Sequence, residues 1–211
     1  MPNNSNIHKK DPHYKQAKQE GYRARSAYKL FEIENRFNIF KRAFYILDLG
    51  SAPGSWLQVS KKFAERNLNI YKDQFYNRDR YKIMGVDLKK VSPIENVEII
   101  KCDITKPEFQ EFITEYFQSK LDLILSDASI NKTGNKFTDH IRQINLCYKI
   151  NHLSMNFLKF KGNLVIKVFQ GSDLNRLYKV MKKEFKFLKT YKPKSSNKKS
   201  NEIYIIGLKK L

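Results

Sequence analysis

Four apolar runs in succession each close on an aspartate: AFYILDLG (43–50), YKIMGVDL (81–88), VEIIKCDI (97–104) and LDLILSDA (121–128). Runs that stay apolar without a polar alternation suit strands covered on both faces, which is the habit of a parallel sheet. Two more runs of the same kind follow, NLVIKVFQ (163–170) and NEIYIIGL (201–208), and FKFLKTYK (185–192) reads as a further strand. Helical periodicity fills the gaps near 55–66, 107–118, 138–160 and 172–186. The alternation predicts an α/β fold with seven mostly parallel strands and helices on both faces. The last two strands, joined only by a lysine-rich loop, predict an antiparallel hairpin closing one edge.

Ahead of the sheet, Ser26 is the expected N-cap of a helix whose core face is Leu30, Ile33, Phe37 and Phe40. The segment 66–82 is polar and rich in Asn and Tyr, which predicts a surface insertion before the second strand. The first dozen residues are polar and are expected to fray. At 211 residues, with no internal repeat, the whole chain is expected to form one domain.

In open α/β sheets, ligands bind beyond the carboxyl ends of the strands. That rule selects Asp48, Asp87, Asp103 and Asp127, and it selects Lys167, set in the otherwise apolar LVIKVFQG (164–171). Single strand-end aspartates often do no more than cap the next helix. Four in succession argue for a site. The loop DLGSAPGSW (48–56) is not a dinucleotide fingerprint, because its second glycine position holds Ala52 and then Pro53. A pyrophosphate needs backbone amides free to approach it, so this loop suits a nucleoside without one and disfavours an NAD-linked dehydrogenase. Asp87 would then accept from ribose hydroxyls and Asp103 from an adenine amino group. S-adenosylmethionine is such a ligand.

The formal net charge is +20, from 41 basic and 21 acidic residues. An excess of that size points to a polyanionic partner, RNA or DNA, against the plainer reading of a solvated lysine-rich surface. Cys102 and Cys147 form no metal-ligand spacing, so no metal is expected, and a reducing compartment is the default. No apolar run has the roughly 18 residues of a membrane-spanning helix, and the start has no apolar core of a secretory signal.

Seven collinear segments then resemble the FtsJ/RrmJ family of S-adenosylmethionine-dependent RNA 2′-O-methyltransferases. They are DPHYKQAKQEGYRARSAYKL (11–30), DLGSAPGSW (48–56), GVDL (85–88), CDIT (102–105), LSDASINKTG (125–134), LVIKVFQG (164–171) and KPKSSNKKSNEIY (192–204). The resemblance implies a class I, Rossmann-like methyltransferase sheet. It places a catalytic tetrad on Lys29, Asp127, Lys167 and Glu202. It puts the cofactor contacts on Asp48, Gly50, Ser51, Pro53, Gly54, Trp56, Asp87 and Asp103, with Asp127 shared. RNA is expected on the basic segment 11–40, through Lys15, Lys18, Arg23 and Arg25 with Tyr14 and Tyr22 stacking on bases, and on Lys194, Lys198 and Lys199.

The chain departs from the family wording at Ser51 and Ser55 in the glycine loop, at Ile130 where the family has a proline, and at Asn197 where it has an arginine. Within the family, the wording of GVDL and VFQG is closest to the ribosomal RNA branch, in its bacterial and organellar forms, with a uridine ribose as the expected target and a monomer as the expected state. A tRNA anticodon loop, an mRNA cap and a non-catalytic ribosome-assembly role are the alternatives. Lys167 has two chemical readings, a base that takes the 2′-hydroxyl proton or a donor that orients the oxygen. A third reading is purely architectural, an ion pair with Asp127 bridging two strands.

Overall fold

The computed structural model describes residues 12–71, 79–131 and 133–211. Residues 1–11, where fraying is expected from the sequence, and the middle of the 66–82 insertion lie outside them. The elements, in chain order, are α1 (Pro12–Gln19), α2 (Ser26–Phe37), β1 (Tyr45–Leu49), α3 (Ser55–Ile70), β2 (Lys82–Asp87), β3 (Glu98–Lys101) and α4 (Glu108–Phe117). They continue with β4 (Leu121–Ser126), α5 (Lys136–Phe157), β5 (Leu158–Phe169), α6 (Leu174–Met181), β6 (Phe185–Tyr191) and β7 (Glu202–Lys210).

Among the described residues, seven strands join one sheet in the order β3-β2-β1-β4-β5-β7-β6. The strands β3, β2, β1, β4 and β5 pair in parallel, and β7 runs antiparallel to both β5 and β6. The hairpin predicted at the edge is present. Its second strand turns inward, however, and β6 takes the outside position.

Successive side chains of a strand point to opposite faces, and this period of two divides the molecule. On one face Leu47, Val86, Ile124, Ile166 and Ile205 pack under α4, α5 and α6, through Phe109, Ile113, Ile144, Cys147, Leu177 and Met181. On the other face Ile46, Ile83, Leu125, Val165, Tyr204 and Ile206 meet Ala27, Leu30 and Ile33 of α2 and Trp56, Leu57 and Val59 of α3. The residues at the strand ends that share this second face's parity are Asp48, Asp87, Asp127, Lys167 and Glu202. Alternation alone therefore aims the strand-end aspartates from β1, β2 and β4 and the buried lysine at the helix that carries Lys29.

Several local expectations need correction. Ser26 is not the cap of α2. The residue before the helix is Arg25, in helical conformation with no side-chain cap bond, and Ser26 Oγ instead lies 2.8 Å from Ser55 Oγ. The insertion begins later than its composition suggests, because α3 runs on to Ile70. Asn67, polar in sequence, is buried there and donates from Nδ2 to the carbonyls of Phe40 (2.7 Å) and Ala43 (2.8 Å). The strand expected at 163 starts at Leu158, directly after α5, and its polar first half carries an irregular step in the pairing with β4. The helix expected over 172–186 stops at Met181, and β3 ends at Lys101, two residues before Asp103.

Candidate active site

The turn after β1 runs beneath the carboxyl ends of the strands. Its backbone is drawn toward β2 by Gly50 N–H (2.8 Å) and Ser51 N–H (3.1 Å), both donating to the Val86 carbonyl. Gly50 has a φ of +76°, and a Cβ there would stand 2.6 Å from Ala128, so only glycine lets this turn pass the loop that follows β4. Gly54, at φ +108°, opens α3 and leaves the first amides of that helix, those of Ser55 and Trp56 included, without intrahelical partners.

Asp87 closes β2 with both carboxylate oxygens engaged by backbone, Oδ2 accepting from Ala52 N–H (2.9 Å) and Oδ1 from Lys89 N–H (2.8 Å). Each oxygen keeps a lone pair, and the residue is half-buried. Asp103, also half-buried, accepts from Thr105 N–H at 2.9 Å, and its hydrogen bonds to Thr105 hold its carboxyl below the usual range. Two half-buried carboxylates, glycine backbone and orphan helix amides form a donor and acceptor set that fits an adenosyl group with its hydroxyls and exocyclic amine.

Two of the expected cofactor residues sit deeper than foreseen. Trp56 is 2% exposed; its indole N–H donates to the Ser26 carbonyl at 2.8 Å, and its ring lies 5.8 Å from that of Tyr204. The ring is core, and what Trp56 can offer a ligand is its backbone amide. Asp48 has no exposed surface, and neither oxygen has a hydrogen-bond partner among the described residues. Burial, and after it the neighbouring Asp127 and Asp87 carboxylates, push its pKa well above the carboxylate range. Asp48 lies beneath the site and is a poor direct contact.

The four tetrad residues arrive from four elements. Lys29 is on the first turn of α2, Asp127 directly follows β4, Lys167 is near the end of β5, and Glu202 begins β7. Lys29 Nζ donates to Glu202 Oε1 at 2.5 Å. Lys167 Nζ donates to the Asp127 carbonyl at 2.5 Å and pairs with Asp127 Oδ1 at 3.1 Å. The side chains of both lysines are about one-tenth exposed, at 10% and 9%. Buried ion pairs are seldom a net gain in stability, because desolvating the charges offsets their attraction. The Lys167–Asp127 pair is the one the architectural reading expects, and the two chemical readings of Lys167 need the same pair, so this contact serves all three.

A fifth residue, Tyr204, escaped the sequence. It is fully buried, faces Lys167 across the β5–β7 ladder and donates its hydroxyl to Asp127 Oδ1 at 2.7 Å. Lys29 Nζ sits 5.9 Å from the centre of its ring. Burial first, and then the Asp127 and Glu202 charges, drive its own pKa well upward, so the phenol keeps its proton and remains a donor. In NEIYIIGL this tyrosine looks like one more apolar strand residue, and only its pairing register reveals it.

The Ile130 departure has a local explanation. Its backbone N–H donates to Gln143 Oε1 at 3.0 Å, a bond that a proline could not make. Gln143, on α5, thereby holds the loop after Asp127.

Of the residues expected to meet RNA, Lys15 and Lys18 are exposed on α1, and Lys194, Lys198 and Lys199 are exposed between β6 and β7. Arg25 is half-buried. Arg23 is a correction. Its guanidinium donates to the carbonyls of Pro53 (3.2 Å), Ser92 (2.7 Å) and Pro93 (2.8 Å), and its own amide donates to Gln58 Oε1 (2.9 Å). It clamps the glycine turn to the loop after β2. Tyr22 likewise belongs to an edge-to-face cluster with Tyr28 and Phe31, whereas Tyr14 is exposed.

Comparison with known proteins bears on this geometry. Residues 22–210 match the model of a family described as FtsJ-like methyltransferase. The ribosomal RNA large subunit methyltransferase E of Rickettsia akari is 38% identical over 200 residues, covering 95% of this chain and 85% of the relative. The protein of the same name from Methanothrix thermoacetophila is 39% identical over 202 residues, covering 96% and 73%. A crystal structure of a ribosomal RNA methyltransferase from Plasmodium falciparum superposes with a TM-score of 0.75 at 35% identity, over 90% of this chain and 99% of that one.

Proposed function

The chain belongs to the FtsJ-like methyltransferase family, and from that premise we propose that it methylates ribosomal RNA of the large subunit, at the 2′-oxygen of a uridine ribose. The observation that carries the reading is the pairing of Lys167 with Asp127 and of Lys29 with Glu202, side by side at the carboxyl end of the sheet and next to a turn that fits an adenosyl group. The names of the relatives, ribosomal RNA large subunit methyltransferase E, support the substrate.

S-adenosylmethionine, when bound, supplies a methyl group on a positively charged sulfur that an oxygen nucleophile can displace. The Gly50–Gly54 turn, the first amides of α3, Asp87 and Asp103 are the groups that would hold it. A ribose hydroxyl is a weak nucleophile and needs its proton removed or its oxygen oriented. Lys167 Nζ is tied on one side to the Asp127 carbonyl and carboxylate, which leaves its remaining valence for the 2′-hydroxyl. Asp127 is itself fixed by Tyr204, so Lys167 and the carboxylate keep one geometry: as a neutral amine Lys167 takes the 2′-hydroxyl proton, and as an ammonium it donates a hydrogen bond that orients the oxygen while the proton passes to solvent. Lys29, locked to Glu202, places a second cation beside this pair and favours the oxygen as its negative charge develops.

The test is methyl transfer from labelled S-adenosylmethionine to large-subunit ribosomal RNA, to tRNA and to capped mRNA, with the product mapped by its resistance to alkaline cleavage. Label at one 2′-position of the ribosomal RNA is the expected result. Label confined to tRNA, or on a base, would overturn the assignment.

A further inference from the structure

The loop between β6 and β7 is long and lysine-rich, yet it is tied down at many points. Its first residues run into the carboxylate of Glu32 on α2. Oε2 accepts from Lys194 N–H at 2.6 Å, Oε1 accepts from Ser195 N–H at 2.8 Å, and the Tyr191 hydroxyl lies 3.3 Å from Oε2. Burial alone would raise the pKa of Glu32, but these hydrogen bonds outweigh it and hold the carboxyl below its ordinary value. Further along, Lys192 Nζ folds back to the carbonyls of Ser200 (2.6 Å) and Lys198 (3.4 Å), and Asn197 Oδ1 accepts from Lys199 N–H at 3.0 Å. The loop ends at Glu202, which Lys29 holds.

Glu32 and Lys29 are three residues apart on α2 and so stand on one face of the helix. One helix face therefore grips both ends of the loop, its beginning through a carboxylate on two consecutive amides and its end through an ammonium on a carboxylate. Between those two anchors the side chains of Lys194, Lys198 and Lys199 are exposed. A flexible lysine loop would lose conformational freedom on meeting a polyanion, whereas an anchored one has lost it already.

We propose that Glu32 is a positioning residue for RNA: its carboxylate fixes the 192–200 loop so that the loop lysines meet the phosphate backbone in register with the Lys167 site. This rests on the RNA-methyltransferase reading above. It assigns Glu32 no contact with the reacting atoms and no part in binding the cofactor.

The experiment compares wild type, Glu32→Gln, Glu32→Ala, a loop variant with Lys194, Lys198 and Lys199 all changed to Ala, and Glu32→Gln combined with that loop variant. Four quantities are measured: KM for RNA, kcat, S-adenosylhomocysteine affinity and hydrogen exchange at the Lys194 and Ser195 amides. Glu32→Ala should speed exchange at those two amides and raise KM for RNA about tenfold, with S-adenosylhomocysteine affinity unchanged within twofold. Glu32→Gln, which keeps one acceptor oxygen, should lie between. On the loop-lysine background the Glu32→Gln effect on KM should vanish, because a residue acting through those lysines cannot add to their loss.

Faster exchange with an unchanged KM overturns the proposal, as does a full Glu32→Gln effect on the loop-lysine background. Parallel loss of S-adenosylhomocysteine binding overturns it too, by showing a general disruption. Failure of the wild type to methylate any RNA would instead sink the underlying reading, and the exchange data would still report whether Glu32 anchors the loop. Should Glu32→Ala not fold, the Gln variant alone and in the combined variant decides.

Discussion

Tyr204 and Lys167 face each other across the β5–β7 ladder and reach the same oxygen, Asp127 Oδ1, at 2.7 and 3.1 Å. An aspartate held between a neutral donor and a cationic one cannot swing to a different rotamer without breaking both interactions. Tyr204→Phe removes one of them without changing the ring that packs on Trp56. We expect kcat to fall by about tenfold, the loss of one hydrogen bond to a charged group, with S-adenosylhomocysteine binding within twofold of wild type. Steady-state kinetics alongside calorimetry checks this, and a wild-type kcat would show that Lys167 alone suffices to orient Asp127.

Lys167→Ala should lower kcat by at least the roughly 100-fold that an acid–base residue contributes, while S-adenosylhomocysteine still binds. Lys167→Arg should recover little. A planar guanidinium does not reproduce the point donor that meets both the Asp127 carbonyl and its carboxylate. Substantial activity in Lys167→Ala would remove Lys167 from the chemistry, and substantial activity in Lys167→Arg would exclude the base and leave the orienting donor.

Arg23 and the α1 lysines should separate cleanly. Arg23→Ala leaves the Pro53, Ser92 and Pro93 carbonyls without their guanidinium, and its expected signature is a lower Tm and weaker S-adenosylhomocysteine binding. Changing Lys15 and Lys18 to Ala should leave both unaffected. It should weaken RNA binding instead, flattening the slope of log affinity against log salt by roughly 0.7 to 0.9 for each phosphate that a lysine no longer neutralises. A drop in RNA affinity with intact cofactor binding in Arg23→Ala would return that residue to the RNA surface.

Asp48 gives a pH dependence. Below its unfolded pKa, about 3.9, both states hold the proton and Asp48 is neutral in its effect. As pH rises above that value the unfolded chain releases the proton while the folded protein, whose pKa is raised by burial and the nearby carboxylates, retains it. Asp48 therefore lowers stability increasingly with pH until the folded pKa is passed. Asp48→Asn should raise the Tm of the cofactor-free protein more at pH 8 than at pH 4, as measured by thermal denaturation. A gain that is equal at both, or larger at pH 4, would contradict the buried, unpaired carboxyl.

The sheet was largely legible in its apolar runs, and Asp127 and Lys167 stood out at its strand ends, whereas Lys29 and Glu202 were reached only through the family resemblance. A lysine inside LVIKVFQG has to be justified by a partner, and period-two alternation puts Asp127 and Glu202 on its side of the sheet. What stayed hidden depends on interactions between residues remote in sequence. Tyr204 reads as apolar, since nothing in NEIYIIGL indicates where its hydroxyl points. Arg23 reads as a surface cation, because its acceptors lie 30, 69 and 70 residues away. Asp48 carries the same strand-end signature as Asp87. Only the packing above it separates a carboxylate facing a ligand from one sealed beneath the site. Asn67 concealed the true end of α3 in the same way, a polar letter spent on buried carbonyls.

The placement of β7 between β5 and β6 has a consequence for the order in which the protein is made. β6 leaves the ribosome before the strand that joins it to the sheet, and β5 waits with an open edge beside Lys167. Glu202 and Tyr204 come with β7, later than every other residue of the site. Until that strand has been translated and has slid into its slot, Lys29 has no Glu202 and Asp127 has no Tyr204. A nascent chain that has paired its parallel strands therefore still lacks the Lys29–Glu202 and Asp127–Tyr204 contacts, which wait for β7.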